Sequence, residues 1–209
     1  MDAAQSKQNT TVKCHPSTGK GGLQHNVNSL HTKEDYTIMI TFLELAQSRY
    51  SVRKYSDKPV EKEKLEQILK AAQAAPTACN YQPWRVSVLQ SPEAIAKVRS
   101  LTRYAFNAPV VLFICANMDE SWVGPDGHYA APIDAAIVIT HMMLEACDLG
   151  IGSCWVRGFD KNKIAEAYGL PANLEPVAFL PLGYPAEGSH PAKGWHDKRK
   201  SLEETVEWL

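Results

Sequence analysis

The sequence has no long apolar run. Its longest uninterrupted one, Val110 to Ala116, falls far short of the roughly 20 residues a helix needs to span a bilayer, so no membrane segment is expected. It also lacks an excess of either charge. Lys and Arg number 22 against 23 Asp and Glu, a formal net charge of −1. Without a basic field, neither nucleic acid nor an anionic membrane surface is the expected partner. Cysteine pairs are missing as well: Cys14, Cys79, Cys115, Cys147 and Cys154 are odd in number and form no C-x-x-C. Three of them lie in apolar stretches, which fits reduced, buried thiols in a cytoplasmic protein. The amino-terminal stretch shows neither the charged nor the apolar region of a signal peptide.

Several catalytic signatures are absent too. There is no G-x-S-x-G, no H-E-x-x-H, no Walker A and no G-x-G-x-x-G after a strand. The nearest glycine cluster, Gly150-Ile151-Gly152, follows a helix pattern and enters a strand, the wrong order for a dinucleotide fingerprint. His15, His25, His31 and Cys14 match no zinc spacing, so no metal is expected. His141 sits inside an apolar helix pattern and reads as a core or interface histidine. His190 and His196 sit in polar sequence and read as solvated. No nucleophile has an evident partner base, so an enzyme built this way must borrow its reactivity from a cofactor.

What is present, 209 residues of which 44% are hydrophobic, suits one domain plus a tail. Residues 1–38 are rich in Ser, Thr, Asn, Gln, Lys and Gly without a periodic apolar face. They are expected to be a disordered leader or extension, with Met39 a candidate start. The domain is read over residues 39–209. Thr41-Phe42-Leu43-Glu44 is a capping box for a short helix ending near Ser48, with Phe42, Leu45 and Ala46 on its apolar face. Leu65, Ile68, Leu69 and Ala72 mark a second helix, stopped before Pro76. The spacing predicts strands at Arg85–Leu89, Pro109–Ala116, Ile151–Val156 and Pro176–Tyr184, the second buried on both faces. Ser91-Pro92 starts another helix. A nearly all-apolar helix is expected from Ala131 to Leu149, with Gly150 as its stop. Asp160 and Gly169 bound a short helix, and Ser201 opens a last one reaching Trp208. Helices and strands mix without regular βαβ alternation, which argues for a layered α+β fold.

One stretch stands out. If Arg49-Tyr50-Ser51-Val52-Arg53 is extended, Arg49, Ser51 and Arg53 share a face, and two guanidiniums flanking a hydroxyl suit a phosphate. A patch paired with surface acids is the alternative these five residues leave open.

Further motifs narrow that choice. Arg49-x-Ser51-x-Arg53, then Ala75-Pro76-Thr77-x-x-Asn80-x-Gln82-Pro83-Trp84, resembles the nitroreductase family of flavin enzymes. Asp134-Ala135-Ala136 opening the long helix, Leu149-Gly150-Ile151-Gly152-Ser153-Cys154-Trp155, and Leu182-Gly183-Tyr184-Pro185-Ala186-Glu187 before Arg199-Lys200 follow in the same order. The resemblance spans roughly residues 40–209. It implies a three-layer α-β-α sandwich with a mostly antiparallel central sheet, working as an intertwined homodimer with noncovalent FMN at each interface site. Arg49, Ser51 and Arg53 would hold the phosphate and ribityl chain, and Arg199 would reach the same phosphate. Tyr50, where the family often has a second arginine, belongs to the same site. Pro76, Thr77, Asn80 and Gln82 form the loop facing the partner subunit's flavin, with Gln82 also building the turn. Gly152 and Ser153 fall where backbone N–H groups approach the flavin ring and favour negative charge there. Cys79, Tyr104, Phe106 and Trp122 are left open between ligand contact and packing.

The implied activity passes hydride from NADH or NADPH through bound flavin to a nitroaromatic, quinone or similar electron-poor acceptor. The scheme is ping-pong, with the flavin rather than a side chain carrying the chemistry. Two alternatives accompany it. One is a same-fold flavin enzyme of another class, such as a dehalogenase, enone reductase or flavin-fragmenting enzyme. The other is a non-catalytic FMN-binding or storage protein.

Overall fold

A computed structural model describes residues 41–209; the expected leader at residues 1–38 lies outside the described residues. In chain order the elements are α1 (Phe42–Ser48), α2 (Lys62–Ala74), β1 (Trp84–Leu89), α3 (Pro92–Leu101), β2 (Val110–Asn117), α4 (Ala131–Asp148), β3 (Gly152–Ser153), α5 (Lys161–Tyr168), β4 (Leu174–Gly183) and α6 (Leu202–Thr205). The strands form one sheet in the order β1-β2-β4-β3, with every neighbouring pair antiparallel.

The unbroken β-branched run predicted to be buried on both faces becomes β2, and all its residues are buried. Alternation then divides it between two cores. Val110, Leu112, Ile114 and Ala116 join α2 and α4 on one face. Val111, Phe113 and Cys115 join Ile95 and Val98 of α3 and Ile164 of α5 on the other. Burying each large aliphatic or aromatic side chain contributes about 1.5–3 kcal/mol, so both faces of β2 are strongly specified. The result is the expected three-layer α+β sandwich.

α4 crosses the first core. Ala135, Val138, Ile139, Met142 and Ala146 are inaccessible to solvent, yet Ile133 is 64% exposed, so the apolar helix is not covered all round. Gly150 adopts φ +72° just beyond the helix, the left-handed geometry that ends helices and that glycine takes without strain. Lys64 Nζ donates to Leu149 O at 2.7 Å and to the Tyr184 hydroxyl at 3.0 Å. Tyr184 in turn donates to Glu61 Oε2 at 2.7 Å, so α2 clamps the end of α4 to the end of β4. His141 Nδ1 lies 2.9 Å from Ile137 O, the satisfied histidine its position implied.

Three expectations need correction. The strand predicted over Ile151–Val156 contains only Gly152 and Ser153, with a lone bridge at Val156–Phe179. Cys154 N donates to Pro181 O at 3.3 Å, but proline has no N–H to return the bond, so the ladder stops there. The last helix ends at Thr205 rather than Trp208, with Val206 extended. Leu202, Val206 and Trp208 are exposed, and so short a helix has little support without tertiary packing. Finally, α1 forms with its full capping box but buries none of its residues; Phe42 is 72% exposed.

Candidate functional site

α1 delivers the phosphate-like stretch. Its capping box, Glu44 N to Thr41 Oγ1 at 3.2 Å and Thr41 N to Glu44 Oε2 at 2.7 Å, fixes where the helix starts. It ends when Arg49 turns extended, at φ −62° and ψ 129°. The chain then runs parallel to β3: Ser51 bridges Ser153, and Val52 N donates to Ser153 O at 2.9 Å. Val52 is buried against Gly152, where an added Cβ would lie 2.6 Å from Val52 Cγ2. Tyr55 anchors the far end, its hydroxyl 2.9 Å from Val52 O and 3.1 Å from Pro181 O. Burial pushes that phenol well above its usual pKa, with the Cys154 thiol adding to the rise and Arg53 opposing it.

Arg49, Ser51 and Arg53 do share a face, and they line one cavity of about 180 Å³ with Tyr50, His196 and Arg199. No carboxylate lines it. Arg49, which lines it, has its Nη1 buried without a hydrogen-bond partner. A buried guanidinium N–H left unpaired is costly, and an anionic oxygen is the group that relieves it. Arg53 is braced: its Nη1 donates to Ser51 O at 3.1 Å, and its guanidinium lies 6.0 Å from the Phe106 ring and 5.8 Å from the Trp195 ring. Arg199 donates to Trp195 O at 2.7 Å. Tyr50 lines the cavity, but its hydroxyl engages Ser189 Oγ at 3.3 Å.

Arg53 and Trp195 also wall a larger cavity of about 390 Å³, shared with Tyr104, Phe106, Trp155 and Arg157. It combines aromatic faces, which suit a planar ring, with guanidiniums, which suit negative charge. Cys154 lines it as well. Burial pushes the Cys154 thiol pKa up, against the pull of Arg53, a Ser51 hydrogen bond and Arg49, so the sulfur stays a neutral thiol. A third cavity of about 230 Å³ lies beyond Tyr50, with Cys147, Ile151, Gly152 and Ser153 in its wall.

The expected site residues therefore separate into groups. Arg49, Tyr50, Ser51, Arg53 and Arg199 come together, and Tyr104 and Phe106 join them across Arg53. Gly152 and Ser153 lie next door, but both are buried strand residues, paired with β4 on one side and with the Ser51–Val52 segment on the other. Part of the wall of the aromatic cavity comes from the residues that follow, Cys154 to Gly158. Trp155 closes one of the motifs without an expected role, Arg157 and Trp195 carry no expectation, and His196, expected to be solvated, is half-buried in the arginine cavity. The only signal for the last two was their nearness to Arg199 in the basic segment.

Pro76, Thr77, Asn80 and Gln82 lie elsewhere in the chain. Their loop sits at the other end of α4, where Ala78 N donates to Asp134 Oδ1 at 3.0 Å and Gln82 N to Thr77 Oγ1 at 3.0 Å. Asp134 is 14 residues from the end of α4, about 21 Å along a helix axis. Cys79, Asn80 and Gln82 all hold positive φ, between 49° and 56°, which costs an L-residue about 1–2 kcal/mol each. Trp122 is at that end too, lining a cavity with Tyr129 and Ile133. Among the described residues, no group of three or more His, Cys, Asp or Glu side chains is placed to hold a metal ion. No described helix is long and apolar enough to cross a membrane.

In this three-layer α+β domain an arginine-lined cavity and an aromatic cavity share Arg53 and Trp195 as walls, an arrangement with room for an anionic group beside a planar ring. Comparison with known proteins sharpens the class. The Nitroreductase family model matches residues 46–105 and 99–184, and the chain belongs to that family. A nitroreductase family protein from Clostridium difficile 630, known from its crystal structure, is 40% identical with a TM-score of 0.76, over 81% of this chain and 98% of that one. An NADH dehydrogenase of Thermus thermophilus is 30% identical over 199 residues, covering 78% of this chain and 93% of the relative. An FMN reductase [NAD(P)H] of Bacillus subtilis is 30% identical over 159 residues, covering 66% and 64%.

Proposed function

We propose that this protein is an FMN-dependent NAD(P)H oxidoreductase that reduces a nitroaromatic, a quinone or a similar electron-poor acceptor. Arg49, Arg53 and Arg199 around a cavity free of carboxylates, with Arg49 Nη1 buried and unpartnered, carry the reading, because three cations there favour an anionic group such as a phosphate over a neutral one. Family membership and the FMN reductase among the relatives support it. Bound FMN supplies the hydride acceptance and donation. The chain's own residues bind and orient. Arg49, Arg53 and Arg199 neutralise the phosphate, with the Ser51 hydroxyl and Tyr50 beside them. Gly152 and Ser153 give the site a rigid floor. Tyr104, Phe106, Trp155 and Trp195 supply apolar surface that keeps water from a ring held among them. No side chain is assigned a proton-transfer or nucleophilic role, and Cys154 as a neutral thiol is suited to neither.

The working unit in this reading is a homodimer. Phe42, Leu43, Ile133, Leu202 and Trp208 are each more than 60% exposed, and a second copy is the covering that such side chains suit. In the same reading the strained loop carrying Pro76, Thr77, Asn80 and Gln82, about 21 Å along α4 from the cavity end, serves the partner's flavin. The thiols at Cys79, Cys115, Cys147 and Cys154 are all unpaired, which supports a reducing, cytoplasmic setting. An anaerobic absorbance spectrum before and after NADH and NADPH tests the proposal, followed by addition of a nitroaromatic or quinone. Flavin absorbance that bleaches with a nicotinamide and returns with the acceptor is expected. A colourless protein that takes up no added FMN refutes it.

A further inference from the structure

The arginine cavity contains one ionisable group that the cofactor reading has not used. His196 is half-buried and lines the cavity together with Arg49, Arg53 and Arg199. It also borders the neighbouring cavity of about 450 Å³, which Asp197, Gln47 and Ala46 help to wall. Its charged and titratable surroundings are therefore few. Arg49, Tyr50 and Arg53, from the segment after α1, line the inner cavity with it, and Asp197 and Arg199 come from its own segment; Ala46 and Gln47 of α1, which line the outer cavity, carry no charge. Tyr50 is neutral and its hydroxyl is engaged by Ser189. The only carboxylate in the group, Asp197, lines the outer cavity and not the inner one.

We infer that His196 is a fourth phosphate-binding group, gripping the FMN phosphate as an imidazolium, so that cofactor affinity is coupled to a proton. This rests on the FMN reading above. The coupling follows from the charges. A phosphate dianion placed among these groups favours a positive charge on the ring. Proton and phosphate then promote each other's binding by the same factor. Histidine is suited to this because it is the side chain that ordinarily changes charge between about pH 5 and pH 8. Riboflavin, which shares the ring and ribityl chain but has no phosphate, would bind without the proton.

The experiment is a fluorescence titration of the full-length apoprotein with FMN and separately with riboflavin, at about pH 6.5 and pH 8, where the flavin phosphate is mostly a dianion. Wild type, His196→Gln and His196→Arg are compared. FMN is expected to bind wild type about 5-fold more tightly or better at the lower pH, with riboflavin unchanged. His196→Gln should bind FMN at the weaker level at both pH values. His196→Arg should bind it at the tighter level at both, since a permanent cation replaces the protonated one. If wild type and His196→Gln show the same pH ratio for FMN, His196 is only a solvated neighbour of Asp197 and the inference falls. Equal affinity for FMN and riboflavin in wild type would show that no phosphate is held in this cavity, which also overturns it. If neither flavin binds at either pH, the FMN reading itself fails and the inference with it.

Discussion

Replacing Arg49 by alanine separates cofactor binding from folding, because the structure predicts opposite effects on the two. In the apoprotein Arg49 Nη1 is buried and has no partner, a cost to the fold that an acceptor such as a bound phosphate oxygen relieves. A charge-assisted hydrogen bond contributes about 1.5–3 kcal/mol, so Arg49→Ala should weaken FMN binding roughly 10- to 150-fold. Apoprotein stability should be unchanged or slightly raised, since the substitution removes a buried N–H that has no partner. Arg49→Lys should fall between, keeping the charge but losing the planar fork. Quenching of flavin fluorescence gives the FMN and riboflavin affinities, and a thermal melt of the apoprotein gives the stability. Riboflavin affinity should barely move. An unchanged FMN affinity, or equal losses for the two flavins, would refute the assignment of this cavity to the phosphate. A large drop in the apoprotein melting temperature would refute the claim that Arg49 is unpaired.

Three further tests address the scaffold. Gly152→Ala places a Cβ 2.6 Å from Val52 Cγ2 and should destabilise by about 1–3 kcal/mol; adding Val52→Ala should recover part of that loss, and additive melting temperatures would show that the two do not touch. Burial alone pushes the Cys115 thiol up to about 12 from an ordinary 9.0, and the Cys154 and Tyr55 hydrogens are held in the same direction. The folded chain thus retains protons that the unfolded chain releases: stability is full below pH 9 and declines as pH rises towards 12. Cys115→Ala should flatten that decline in urea melts, and an unchanged slope would assign it elsewhere. At acid pH the sign reverses. The Tyr184 hydroxyl is the main cause holding the Glu61 carboxyl down at about 2 from an ordinary 4.5, so its contribution is present above pH 4.5 and lost as pH falls towards 2. Tyr184→Phe should flatten the acid limb, and an acid limb identical to wild type counts against the Tyr184–Glu61 bond.

Where sequence and structure agree, a local rule was sufficient. The run from Val110 to Ala116 could only be a strand buried on both faces, and it is. Thr41 with Glu44, Ser91 with Pro92, and Asp160 with Gly169 fixed helix ends because caps act over three or four residues. Disagreement arises where a partner element decides. Ile151 to Val156 has the composition of a full strand, but Pro181 opposite Cys154 cannot return a hydrogen bond, and nothing in the strand's own residues reveals that. Leu202 to Trp208 has a helix start, yet the described chain offers its apolar side chains nothing to pack on.

The same distinction governs the site. Arg49, Ser51 and Arg53 were legible because alternation alone puts them on one face, and the Ser51–Ser153 bridge keeps the segment extended. His196 and Trp195 were not, since only folding carries a turn-rich segment more than 140 residues further along the chain back over that face. The loop from Pro76 to Gln82 was recognised by its residues, but its distance from the arginines follows from the length of α4, which no motif encodes. That loop also carries its strain in view: Cys79, Asn80 and Gln82 hold positive φ while exposed to solvent. The loop's own hydrogen bonds hold that geometry: Asn80 N donates to Thr77 O at 3.0 Å, Gln82 N to Thr77 Oγ1 at 3.0 Å and Trp84 N to Gln82 O at 2.8 Å. The Asp134 carboxylate, which accepts from the Ala78 N–H at 3.0 Å, ties the loop to α4. Asp134→Ala should therefore loosen the loop, seen as faster amide exchange over residues 77–82, while the arginine cavity at the other end of α4 keeps its affinity for inorganic phosphate.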